Sequence, residues 1–70
     1  MKFRKRAKNF KILLLEKDVT RYELMKRTGI SHSHLNGIVG GNIDPSLSKV
    51  AALAEALGMG AGEFVEKLLK

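Results

Sequence analysis

The chain has 70 residues, a net charge of +6 at pH 7 and no cysteine. A chain of this length is expected to form one small domain, residues 1–70, which buries only about 60% of the surface that its unfolded form exposes and has no room for a catalytic cleft between two domains. Without cysteine, neither disulfides nor thiolate metal ligands can support the core, so stability has to come from helix packing and from association.

The excess positive charge is concentrated at the start of the chain. The first eleven residues contain six basic groups and no acidic one, whereas residues 12–70 contain seven of each, which cancel. Such a segment, residues 1–8 above all, is typical of a basic arm or helix start that contacts a polyanion. The alternative is a terminus that is only disordered and solubilising. The concentration of the whole surplus there favours contact with nucleic acid.

The apolar run of residues 12–15 ends at three charged residues. Secretory signals need about 7–15 apolar residues and membrane spans need about 20. The sequence therefore predicts neither export nor a membrane span, and no membrane partner.

The first helix is predicted to begin at Phe3 or Ala7 and to end at Glu16. Its apolar residues have the i, i+3, i+4 spacing of an amphipathic helix: Phe10, Leu13 and Leu14. Ile12 and Leu15 lie off this stripe, so the apolar face is either unusually broad or partly a contact surface.

The next two helices are predicted on either side of a tight break. Thr20 starts a capping box, S/T-x-x-E, so the second helix begins at Arg21. It ends at Gly29, because glycine suits the left-handed conformation of a C-cap. Ser31 caps the third helix, which stops at the glycine pair of residues 40 and 41.

Ser46 follows the loop that contains Pro45, and it caps a fourth helix that closes at Gly58. The apolar positions of this helix keep helical spacing: Leu47, Val50, Ala51, Ala54 and Leu57. Residues 60–62 are weak helix formers, so the fifth helix is predicted over residues 63–69. No segment has the pattern of a strand, and the fold class is therefore all-α, with five short helices.

Several short motifs are spaced along most of the chain. They are Val19-Thr20, Glu23-Leu24, Gly29-Ile30-Ser31, Leu35 with Ile38, Gly41, Asp44-Pro45-Ser46-Leu47 and Leu53-Ala54-Glu55-Ala56-Leu57-Gly58. Their joint spacing, without a gap from about Phe10 to Val65, resembles the lambda-repressor-like (Cro/C1-type) helix-turn-helix family of phage and bacterial regulators. The resemblance implies a DNA-binding domain with the helix-turn-helix motif at the second and third helices. It also implies a sequence-specific transcriptional regulator of repressor or Cro type, which binds double-stranded DNA as a homodimer in the cytoplasm, on the nucleoid.

The resemblance further implies that the third helix lies in the major groove and contacts bases through His32, Ser33 and Asn36. Their imidazole, hydroxyl and carboxamide groups suit base edges, and an asparagine can pair with adenine through two hydrogen bonds. Contacts to the DNA backbone, or support for the reading helix, are expected from residues around that helix and from the basic arm: Arg21, Ser31, His34, Gly37, Asn42, Ser46, Lys49, Lys2, Arg4, Lys5, Arg6 and Lys8. For Arg21, which stands where the family often has glutamine, contact with a phosphate and contact with a guanine are both open.

The chain departs from the family pattern at three places. Met25 stands where the family usually has alanine, so the angle between the second and third helices is expected to open slightly. Leu14 and Val39 replace an arginine and a glutamate that pair in many members, so an apolar contact is expected between the first and third helices. Gly37 inside the third helix costs about 1 kcal/mol relative to alanine, which fits a close approach of the backbone to DNA.

The last helix has more apolar residues than the core requires. Phe64 is expected to close the core, which leaves Val65, Leu68 and Leu69 as candidates for a homodimer interface. The alternative function is a protein-interaction module on the same fold, such as the antitoxin of a two-component pair or an adaptor. Apolar surface on the first and last helices motivates this alternative.

Catalytic and metal sites are not expected. The sequence lacks an acid pair, a nucleophile with its base, a phosphate-binding loop and a metal cluster, so an enzyme is the remote alternative. His32 and His34 form an H-x-H pair whose rings point apart on a helix, and no cysteine or nearby acid completes a metal site. We therefore expect no cofactor, metal ion or small-molecule ligand.

Overall fold

A computed structural model describes residues 6–69, and this part of the chain consists of five α-helices and their connections, with no strand. The helices are α1 (Ala7–Lys17), α2 (Arg21–Thr28), α3 (His32–Val39), α4 (Leu47–Ala56) and α5 (Ala61–Leu69). The all-α class with five short helices is thus confirmed. Lys2, Arg4 and Lys5 of the basic arm lie outside the described residues.

Local signals place the starts of α2, α3 and α4. The capping box forms, because the Thr20 hydroxyl accepts from the Glu23 N–H at 3.1 Å and the Glu23 carboxylate accepts from the Thr20 N–H at 3.2 Å. Ser31 and Ser46 cap α3 and α4 in the same way, each accepting from a backbone N–H three residues later. These caps satisfy amide donors that have no partner inside a helix.

The prediction of residues 63–69 for the last helix was wrong at its start, since α5 begins two residues earlier, at Ala61. The Phe64 N–H donates to the Gly60 carbonyl at 2.9 Å, which makes Gly60 the residue before the helix. Gly62 lies in the first turn of α5, outside the helix interior where a glycine costs about 1 kcal/mol relative to alanine.

The core is built around an aromatic pair that joins the two ends of the chain. Phe10 of α1 and Phe64 of α5 are both fully buried, and their rings meet edge to face with centroids 5.6 Å apart. Leu14 and Val39 are also buried in this core, as their apolar character predicts. Contacts of α1 with α5 and α3, and of α2 with α3 and α4, close the bundle.

Three apolar side chains do not lie where the sequence analysis placed them: Leu68 is buried, and Leu47 and Ala51 of α4 are exposed. Leu68, a candidate for the dimer interface, is fully buried in the core. It comes four residues after Phe64, so both side chains lie on the face of α5 that packs against the bundle. Leu47, assigned to the apolar stripe of α4, is 88% exposed, because the first residue of that helix projects beyond the core.

Two long-range hydrogen bonds hold helix ends in place. The Asn9 amide donates to the Leu68 carbonyl at 2.6 Å, which fixes the last turn of α5 against α1. Arg27 donates to the Ala56 carbonyl at 2.9 Å and thereby links α2 to the end of α4. Both acceptors are carbonyls near a helix C-terminus, where carbonyl groups have no N–H partner within the helix. Among the described residues, no helix combines the length and the apolar character needed to cross a bilayer.

Candidate nucleic-acid interface

Helix α3 has one buried face and one polar face. Leu35, Ile38 and Val39 are at most 1% exposed, so three core residues hold this eight-residue helix against the bundle. On the other side, His32 and Ser33 are exposed. Because the buried face is fixed, the polar side chains of the first turn are presented from a rigid support.

The turn before α3 is closed by a single hydroxyl group. Gly29 ends α2 with φ of 76°, the left-handed conformation predicted for it. The Thr28 hydroxyl donates to the Leu24 carbonyl at 2.7 Å and accepts from the Ile30 N–H at 3.2 Å. The Ile30 side chain is buried below the turn, so the start of α3 has a fixed position relative to α2.

A polar groove of about 380 Å³ lies between this turn and the start of α4. It brings together three residues predicted to support DNA binding, namely Ser31, His34 and Lys49. The complete lining is Thr28, Gly29, Ile30, Ser31, His34, Ser48, Lys49 and Ala52. The capped N-termini of α3 and α4 both border the groove, so helix dipoles and the Lys49 ammonium favour an anion there.

Ser48 is a member of the polar groove that the sequence analysis missed. Its hydroxyl lies 3.1 Å from the hydroxyl of Ser46, the cap of α4. The available signal was the second serine, two positions after the cap, at a helix start expected to contact phosphates. Ser46 itself is exposed beside the groove rather than part of its lining.

Arg21 and Asn36 meet across the helix-turn-helix. The Arg21 Nη1 group donates to the Asn36 Oδ1 atom at 3.4 Å, which links the first residue of α2 to the middle of α3. The sequence analysis expected Asn36 to contact a base and Arg21 to contact the DNA backbone or to support the reading helix. The structure places the two side chains in one hydrogen-bonded pair.

The family model for the Cro/C1-type HTH DNA-binding domain matches residues 9–67, most of the 70-residue chain. The chain belongs to the Cro/C1-type helix-turn-helix DNA-binding family. The resemblance noted from the sequence motifs is therefore confirmed, and the Cro/C1-type domain is a DNA-binding domain. A search of curated proteins gave no significant match to this chain.

The remaining predicted contact residues of this Cro/C1-type domain lie around α3 and at the start of α1. Asn42 is exposed in the loop after α3, and Lys8 is exposed in the first turn of α1. Arg6 is partly buried immediately before α1.

Met25, which departs from the family pattern, is partly buried against the core. Within residues 6–69, no three His, Asp or Glu side chains form a group that could hold a metal ion.

Gly37 has a packing role in this Cro/C1-type domain. A Cβ atom on Gly37 would lie 2.7 Å from Cγ1 of Ile43 and would also overlap its Cδ1 atom. The loop folds back over this position, since the N–H groups of Asn42 and Ile43 both donate to the Gly37 carbonyl, at 2.8 and 3.1 Å. The Ile43 side chain therefore makes one close approach to Gly37 within the protein, and the approach of the Gly37 backbone to DNA stays a prediction.

We expect Gly37→Ala to reduce the free energy of unfolding by up to about 2 kcal/mol. Overpacking against Ile43 costs about 1–3 kcal/mol, and the higher helix propensity of alanine offsets about 1 kcal/mol of this cost. In an Ile43→Ala background the overlapping atoms are gone, so the same substitution should stabilise the domain by up to about 1 kcal/mol. Urea denaturation of the wild type, the two single variants and the double variant measures both changes. An equal effect of Gly37→Ala in the two backgrounds would contradict the packing explanation.

Proposed function

We propose that this domain is a sequence-specific transcriptional regulator of repressor or Cro type that reads the major groove with α3. The observation that carries the proposal is the division of α3 into a fully buried apolar face and a polar face that begins with His32 and Ser33. A helix held in this way can present small polar groups to base edges without reorganising. His32, Ser33 and Asn36 are the proposed base-contacting residues.

The polar groove is the proposed contact with the DNA backbone. Phosphate oxygens accept hydrogen bonds, and the groove offers the Lys49 ammonium, the Ser31 and Ser48 hydroxyls and two helix N-termini. Contacts of this kind fix the register of a protein on the duplex but carry no base information. Asn42, Ser46 and His34 are proposed to extend the same contact edge, and Arg6 and Lys8 to add charge at the start of α1.

Ser33 of α3 and Ser48 of the polar groove provide a matched test of the separation between base contacts and backbone contacts. Both are exposed, and each loses only a hydroxyl on replacement by alanine. We expect Ser33→Ala to relax the preference at one base pair, and Ser48→Ala to weaken binding evenly across sequences by about 0.5–1.5 kcal/mol. Sequences selected from random double-stranded DNA, followed by titration at several salt concentrations, measure both effects. Wild-type affinity that is the same for selected and random DNA, or that does not fall with salt, would overturn the proposal.

A homodimer is part of the proposal, with the outer face of α5 as its interface. Leu69 is 50% exposed and Val65 is partly buried, and these two residues lie four positions apart on the helix. Leu68 is no longer a candidate because it belongs to the core. A palindrome in the selected DNA, with half-sites about 34–36 Å apart, would support two-fold binding. A single unrepeated half-site would speak against it.

One observation favours a second candidate function, a protein-interaction module on this fold. Ile12 and Leu15 of α1 are 43% and 80% exposed, although both are large and apolar. In this function the ligand is a partner protein bound to α1, and α3 contacts no bases. The selection experiment separates the two functions, because an interaction module gives no enriched DNA sequence.

A further inference from the structure

We propose that Arg21 sets the base preference of Asn36, so that the pair selects guanine rather than adenine. This inference rests on the proposed function, because it assumes that α3 reads bases in the major groove. The observation that supports it is a hydrogen bond of 3.4 Å from Arg21 Nη1, in the first residue of α2, to Asn36 Oδ1, in the middle of α3.

The chemistry of the two side chains determines how the amide is turned. A guanidinium group has five N–H donors and no acceptor, so only the oxygen of the Asn36 carboxamide can face it. The amide NH₂ group of Asn36 then points away from Arg21. The Asn36 oxygen keeps a second lone pair, but that lone pair lies beside the positive charge of Arg21, so the pair presents mainly hydrogen-bond donors.

This arrangement changes what Asn36 can recognise. An asparagine that pairs with adenine through two hydrogen bonds uses its oxygen to accept from N6 and its NH₂ group to donate to N7. Here a charged donor lies beside the oxygen, and its positive charge repels the partly positive N6 amino group that would approach the remaining lone pair. Guanine instead offers two acceptors, N7 and O6, in the major groove. The Asn36 NH₂ group and a remaining Arg21 N–H can donate to these acceptors.

DNA binding is expected to strengthen the contact between the two side chains. In the free protein Arg21 is exposed, so water competes for its N–H groups. A duplex lying against α3 displaces that water, and a hydrogen bond from a charged donor is stronger in a medium of low dielectric constant. The preference therefore develops in the complex, where the base is read.

Three variants test the inference by selection of bound sequences from random double-stranded DNA. Asn36→Ala identifies the base pair that Asn36 reads, since the preference at that position should disappear. Arg21→Met keeps a long side chain but removes every donor, so the same position should change from guanine to adenine, by roughly tenfold in relative enrichment. Lys11→Met is the matched control, because Lys11 borders the same surface groove as Arg21 and carries the same charge. It should keep guanine.

The outcomes distinguish failure of this inference from failure of the proposed function. Adenine at this position in the wild type, guanine retained in Arg21→Met, or no position affected by Asn36→Ala would each overturn the inference while leaving sequence-specific binding intact. A change to adenine in Lys11→Met as well would attribute the effect to net charge and would also overturn it. If the wild type enriches no sequence, the proposed function fails, and this inference fails with it.

Discussion

Replacing Phe10 with alanine is expected to reduce the free energy of unfolding by about 3–5 kcal/mol, the loss typical of a large aromatic residue removed from a core. A chain of 70 residues has a typical total stability of about 3.5–10 kcal/mol, so this loss amounts to about a third of the total or more. The effect is large because Phe10 is fully buried and loses its edge-to-face partner Phe64. Denaturation by urea, followed by circular dichroism, measures the loss.

Leu15→Ala is the matched control for this prediction. Leu15 lies on the same helix and is also large and apolar, but it is 80% exposed. Its replacement should change the free energy of unfolding by no more than about 0.5 kcal/mol. Similar losses for Phe10→Ala and Leu15→Ala would mean that the apolar surface of α1 is covered in solution, for example by a second chain, and that the assignment of the core is incomplete.

The parts of the fold that were predictable from the sequence depend on signals a few residues long. A cap and its partner are three residues apart, as at Thr20, Ser31 and Ser46, so the helix starts could be read directly. The break at Gly29 has the same local character. Helical periodicity also predicted the buried face of α3, because the spacing of its core residues is set within that one helix.

The errors concern side chains whose surroundings come from other parts of the chain. The helical periodicity of α5 does not distinguish a core position from a partner surface, and Leu68 proved to be buried in the core that α5 forms with α1 and α4. Leu47 has the right spacing for the core of α4, but no neighbouring element reaches the first turn of that helix far enough to cover its side chain.

The candidate site was predictable in its residue types and less so in its contacts. His32 and Ser33 could be placed on an exposed helix face from the motif alone. The bond from Arg21 to Asn36 spans 15 residues and depends on how α2 crosses α3, which no local pattern encodes. The sequence singled out Gly37 for its helix cost, but its contact with Ile43 could not be predicted, because Ile43 lies in the loop that folds back over α3.

The second large effect is expected from the basic arm. Changing Lys2, Arg4 and Lys5 to glutamine removes three charges from the segment that holds the whole charge surplus. If each charge neutralises one phosphate, the slope of log K against log salt should fall by about 0.9 for each charge, or about 2.7 in total. Extrapolated from 1 M to 0.15 M salt, this change weakens binding on the order of a hundredfold, and it should do so for selected and random DNA alike. Titrations at four or more salt concentrations measure the slope.

The matched control changes Lys17, Lys26 and Lys67 to glutamine, which removes the same charge from α1, α2 and α5. None of these lysines lines the polar groove, so the slope should fall by less than one unit. Equal slopes for the two triple variants would show that net charge alone attracts the duplex and that the arm makes no contact of its own. An altered base preference in the arm variant would show instead that the arm reads sequence. The separation between a charged arm that supplies affinity and a nearly uncharged α3 that supplies specificity would then be wrong.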